Sequence, residues 1–129
     1  MIGVVLKSVF SSDATLSSLF GGRIYPFLAA QGAAVPYVVY DEFRVDPQGS
    51  KDSDSHIDEV SVRLTFVATV YSTCQSGVEA ARTAFVRQGR TVAGITVQSC
   101  TYETQRDIYS DTDEYFGVQA DFTFRIVRL

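Results

Sequence analysis

Residues 60–70 read VSVRLTFVATV, and the alternation in this stretch decides the fold. Val62, Leu64, Phe66, Ala68 and Val70 fall on one side of an extended chain; Ser61, Arg63, Thr65 and Thr69 fall on the other, joined by Val67. A period of two over this length predicts a strand with one face on a core. Residues 116–126, FGVQADFTFRI, repeat the pattern. Phe116, Val118, Ala120, Phe122, Phe124 and Ile126 point inward, with Gln119, Asp121, Thr123 and Arg125 outward. Residues 95–109 are extended with mixed polar character, and the acidic turn SDTDE joins them to the last strand. Two long strands about a short turn predict a β-hairpin.

Helical spacing fills the gaps. Val78, Ala81, Ala84 and Phe85 form one apolar stripe, with Glu79, Arg82, Thr83 and Arg87 pointing outward. Ser72 or Thr73 can cap this helix and Gly89 can end it. At the N-terminal side, Ile2, Val5, Leu6 and Val9 make a second stripe. Asp13 can cap a further short turn carrying Leu16, Leu19 and Phe20, and Gly21-Gly22 closes it. Arg23–Phe27 is a short extended segment; Pro26 cannot donate to a ladder, so it belongs on an edge.

Residues 35–43, VPYVVYDEF, predict a further strand. Bulk on both of its faces implies burial on both sides, or a helix on one side and a partner on the other. Asp46–His56 then reads as a long polar loop, and residues of about 45–57 are expected to be flexible, since such a composition does not offset its own ordering entropy. The order predicts one α+β domain over residues 1–129, a mainly antiparallel β-sheet with two helices packed on one face. The other face, rich in Thr, Ser, Gln and Arg, suits water or a subunit contact.

The 129 residues are 46% hydrophobic and 20% charged, which is globular rather than disordered. A net charge of −4 argues against an open nucleic-acid surface but not against a pore through which DNA slides. No apolar run approaches a membrane span, and no signal peptide is expected. Cys74 and Cys100 are expected to be free thiols in a reducing compartment. A helix start can lower the pKa of Cys74, yet no basic partner is evident and packing is the expected role. His56 lacks an orienting partner for general-base work. Asp107, Asp111, Asp113 and Glu114 lack the calcium-loop pattern and read as a solvated tip. No catalytic, metal or cofactor site is expected.

One set of motifs is familiar in its order: GGRIYP after the first helix, then PYVVY, TVYS running into EAARTAF, and a closing YFGVQADFTFRI. Together, over Met1 to Ile126, they resemble the tail completion or tail terminator proteins of long-tailed bacteriophages, also described as head-tail joining proteins. The segment FLAAQGAAV departs from the turn usual in that family. The resemblance implies a non-enzymatic virion subunit that forms a homo-oligomeric ring, commonly a hexamer. The ring would sit on the head-proximal end of the tail tube, stop its polymerisation and meet the head connector. DNA would pass through it without sequence-specific binding. The candidate inter-subunit or tube contacts are Asp46, Gln48, Lys51, Asp52, Asp54, His56, Arg82, Arg87, Asp111, Asp113 and Glu114. The alternatives are a tube or connector subunit of a phage or contractile injection machine, and a small ligand-binding module.

Overall fold

The computed structural model describes residues 2–26, 34–48, 57–86, 89–109 and 115–127. Its elements run α1 (Ile2–Ser12), α2 (Ala14–Phe20), β1 (Ile24–Pro26), β2 (Tyr37–Gln48), β3 (Ile57–Ala68), α3 (Tyr71–Phe85), β4 (Arg90–Val92), β5 (Ile95–Tyr109) and β6 (Phe116–Val127). The six strands form one sheet in the order β1-β2-β3-β6-β5-β4. Among the described strands only the β1–β2 pair is parallel.

The N-terminal helical region is two helices, making three among the described residues where two were expected. Asp13 is the hinge: its backbone N–H still donates to Val9 O at 2.8 Å, while its side chain accepts from the N–H groups of Thr15 and Leu16. An aspartate that ends one helix and caps the next lets both turn their apolar sides to the same core. Gly21 closes α2 at φ 57°, a conformation that costs a residue with a Cβ about 1–2 kcal/mol.

Val60, Val62, Leu64 and Phe66 of β3 and Val118, Ala120, Phe122, Phe124 and Ile126 of β6 are fully buried. They pack against the helices in one cluster, in which Phe10, Phe20, Phe66, Phe85, Phe122 and Phe124 form a chain of ring contacts. This aromatic spine accounts for a core rich in phenylalanine and empty of tryptophan.

Several expectations are corrected. Val70 leaves the strand and stands 53% exposed as the N-cap of α3; neither Ser72 nor Thr73 caps it. The helix ends at Phe85, with Val86 as C-cap, ahead of Gly89. Phe116 is 37% exposed rather than core. Strand β2 runs on to Gln48 and β3 starts at Ile57, so Val45 to Gln48 are strand rather than loop. Polar side chains do not prevent a backbone ladder: Asp46 pairs with Glu59 and Gln48 with Ile57. Nor is β2 buried on both sides. Among its described side chains only Val38 is fully buried. A short strand, β4, was not foreseen; it forms a two-residue hairpin with β5 around Ala93 and Gly94.

Candidate assembly surface

Strand register decides what the helix-free face of the sheet presents. Lateral rows across β2, β3, β6 and β5 place Val39, Thr65, Gln119 and Arg106 together, then Asp41, Arg63, Asp121 and Thr104, then Arg44, Ser61, Thr123 and Thr101, then Asp46, Glu59, Arg125 and Ser99. Four acids and four arginines thus share this face. Asp121, expected to point outward, does lie on it but is only 9% exposed. Arg63 encloses it, donating from Nε at 2.9 Å and from Nη2 at 3.3 Å, and the guanidinium of Arg106 stands 3.8 Å away. Bidentate geometry with restricted solvent makes this pair stronger than an ordinary surface ion pair. The Asp121 carboxylate raises the pKa of Arg63 further above its usual value, against a smaller opposing effect of burial. Arg125 reaches Glu59 at 3.8 Å and donates to Gln98 Oε1. Charge on this face is largely satisfied within it.

The lateral edges are less complete. β1 covers β2 only from Val38 to Tyr40, and β4 covers β5 only from Ile95 to Val97. Among the described residues no strand pairs with the outer side of β2 from Asp41 to Gln48, or of β5 from Gln98 to Tyr109. An unpaired edge is a template for another chain. Exposed apolar side chains cluster accordingly. Phe43 (46% exposed) and Val45 (44%) stand on β2, and Ile108 is exposed on β5. Phe43 is the extra residue of a bulge between Glu42 and Arg44, and Arg63 stacks on its ring at 5.1 Å.

The candidate contacts scatter over this frame. Asp46 lies on the β2 edge in an ion pair with Arg44 at 2.7 Å, and Gln48 ends the same strand. Arg82 lies over β5 instead, its guanidinium 4.1 Å above the Tyr102 ring and 3.5 Å from Glu79. Lys51, Asp52, Asp54, His56, Arg87, Asp111, Asp113 and Glu114 lie outside the described residues. The residues that alternation alone passed over are Glu42, Phe43, Arg63 and Arg106; outward arginines and acids were visible, but not which of them share a row.

Both thiols are free and buried, and packing was the role expected of Cys74. Cys74 is buried in α3 and its pKa is raised by desolvation, not lowered by the helix start. Cys100 faces the core, and burial pushes its thiol up to about 12. Among the described residues no group of three His, Cys, Asp or Glu could hold a metal ion, and no helix is long and apolar enough to cross a membrane.

The sequence profile of the tail completion protein gp17 family matches residues 5–127. The chain belongs to that family. It is therefore a structural protein of the phage tail. No curated protein matches it in sequence. Among solved structures, a chain described as "Virion of native gene transfer agent (GTA) particle" superposes with a TM-score of 0.72 at 15% identity, covering 93% of this chain and 90% of that one. A second solved chain superposes with a TM-score of 0.50 at 9% identity, covering 97% and 95%. At these identities the likeness is one of fold.

Proposed function

We propose that this tail completion protein closes into a ring of identical subunits, six by analogy with the family, that caps the tail tube at its head-proximal end. The ring ends tube polymerisation and offers the surface on which the head connector docks. One observation carries the reading: among the described residues, the sheet leaves much of two different strand edges, those of β2 and β5, unpaired on opposite sides. Contacts between two unlike surfaces of one chain propagate head to tail, and they close when the rotation per copy divides a full turn. A gene transfer agent virion containing a chain of this fold is in keeping with such a place in a particle.

A passage for DNA is served by the helix-free face. Each of its four arginines is paired with an acid of the same face, so little cationic charge is left to hold phosphates.

Imaging tails assembled without the protein is the direct test. Overlong tubes, or tails of normal width without heads, are the expected result. Tails of normal length joined to heads would refute the reading. The purified chain distinguishes a cap from a tube subunit: discrete closed rings support the cap, and open-ended tubes support the alternative.

A further inference from the structure

We propose that neighbouring subunits join edge to edge, the free half of β2 in one copy pairing antiparallel with the free half of β5 in the next, and that Glu42 of the first meets Arg82 of the second on the helical side of the joint. This deepens the ring reading and rests on it.

Strand direction makes the joint consistent. The four long strands β2, β3, β6 and β5 alternate in direction, so β5 runs opposite to β2. A copy related by rotation about an axis roughly along the strands presents its β2 in the original direction. The new pair is therefore antiparallel, and the same face of every sheet points toward the axis. An odd number of long strands would have given a parallel joint. The short strands do not obstruct it. β1 blocks β2 only at the end near Tyr37, and β4 blocks β5 only at the opposite end near Ile95, which leaves Asp41–Gln48 and Gln98–Tyr109 to meet.

Charge supplies the second argument. Glu42 lies opposite Val62 and so faces the helical side of the sheet. Its Oε1 is buried and has no hydrogen-bond partner among the described residues. A buried carboxylate oxygen without a donor keeps its full desolvation penalty, so a subunit that has one gains by meeting a donor on assembly. The β5 edge carries that donor on the same side. Tyr102 pairs with Phe122 and faces the core, and the Arg82 guanidinium lies flat over its ring. Among the described residues Arg82 is held by an ion pair only through the long 3.5 Å contact to Glu79, and its side chain is 44% exposed. The phenol of Tyr102 already donates its one hydrogen to Gln105 Oε1 at 2.6 Å, which leaves Arg82 as the donor at that position. Phe43, beside Glu42 on the edge, loses its exposed surface against the arriving strand.

A charge swap tests the joint, because in a head-to-tail contact both halves sit in one chain. Glu42→Arg and Arg82→Glu are each expected to weaken ring formation by about tenfold or more, measured by mass photometry across a concentration series. The double variant is expected to recover most of the loss, since each new arginine faces a new glutamate. Equal thermal melting of the monomeric variants by circular dichroism establishes that they fold; Glu42→Gln and Arg82→Lys, with smaller losses, provide the same reading should a reversal unfold. Rings that form with wild-type affinity in both single variants overturn the joint and leave the ring. A double variant no better than the singles also overturns it. A wild-type chain that is monomeric at every concentration, alone and with tail tubes, overturns ring and joint together.

Discussion

At the scale of single residues, burial has replaced reactivity. Cys100 faces the core from β5, and desolvation raises its pKa to about 12, because a thiolate there would sit among phenylalanines. The folded pKa lies above the unfolded one, near 9.0, so this group's contribution to stability is complete below pH 9. It is lost progressively as pH rises toward 12. Cys74 shifts in the same direction for the same first cause. Both thiols are expected to resist iodoacetamide at pH 8 in the native chain and to react fully in denaturant, as mass spectrometry can follow. Rapid native labelling at either position would contradict the burial. Asp121 belongs to the same scale. Replacing it by Ala leaves the guanidinium of Arg63 without its bidentate partner, and a loss of about 2–4 kcal/mol is expected in urea unfolding. A change below about 0.5 kcal/mol would show the pair to be an ordinary surface contact.

At the scale of elements, the pattern of period two carried far, and bulges mark where it stopped. β3 and β6 have no bulge against each other, and their inward residues were readable from alternation alone. The cap at Asp13, the Gly21 terminus and the stripe of α3 were readable too, since each rests on neighbours in sequence. β5 was different. Its register shifts at Gln98 and again at Glu103, so Val97, Cys100 and Tyr102 share the core side although strict alternation separates Val97 from the other two. The bulge at Phe43 does the same to β2. Bulges are set by the partner strand and leave little trace in the strand that carries them. The candidate site was illegible for the same reason. Edges, rows and the Arg63–Asp121 pair exist only once strands distant in sequence are side by side.

Two substitutions test this level. Ala93 and Gly94 both have positive φ, 51° and 81°, in the β4–β5 turn. Alanine is strained there, so Ala93→Gly or Ala93→Asn is expected to stabilise by about 0.5–1 kcal/mol, read as a higher midpoint in thermal unfolding. Gly77 is a packing glycine: a Cβ would stand 2.6 Å from Phe20 Cζ and 2.8 Å from Phe66 Cδ1, both fully buried rings. Gly77→Ala is expected to cost about 1–3 kcal/mol by forcing α3 away from α2 and β3. An unchanged midpoint would mean the helix has slack that these contacts do not indicate.

At the scale of the whole molecule, the excess of acids lies off the helix-free face of the sheet. The helix-free face balances four acids with four arginines. The connections after β2 and after β5 carry much of the excess, through Asp52 and Asp54 in one and Asp111, Asp113 and Glu114 in the other. These connections leave from opposite ends of the sheet, since Gln48 and Ile57 end in the row of Val127 and Thr96, whereas Tyr109 and Phe116 end beside Ala68. In a ring whose strands run along its axis, one connection belongs to the tube side and the other to the head side. Each can therefore be altered separately. Replacing residues 49–56 by Asn-Gly keeps a favoured hairpin turn between paired strands, so monomer stability is expected to hold within about 1 kcal/mol. If the connection meets a tail partner, the same variant forms rings but fails to stop the tube or to join the head, whichever end it faces. Electron micrographs of tails made with it distinguish the two, overlong tubes from headless tails of normal length. Heads joined to tails of normal length would reduce this connection to a tolerated linker and leave tube and head docking to the sheet, the helices and the opposite connection.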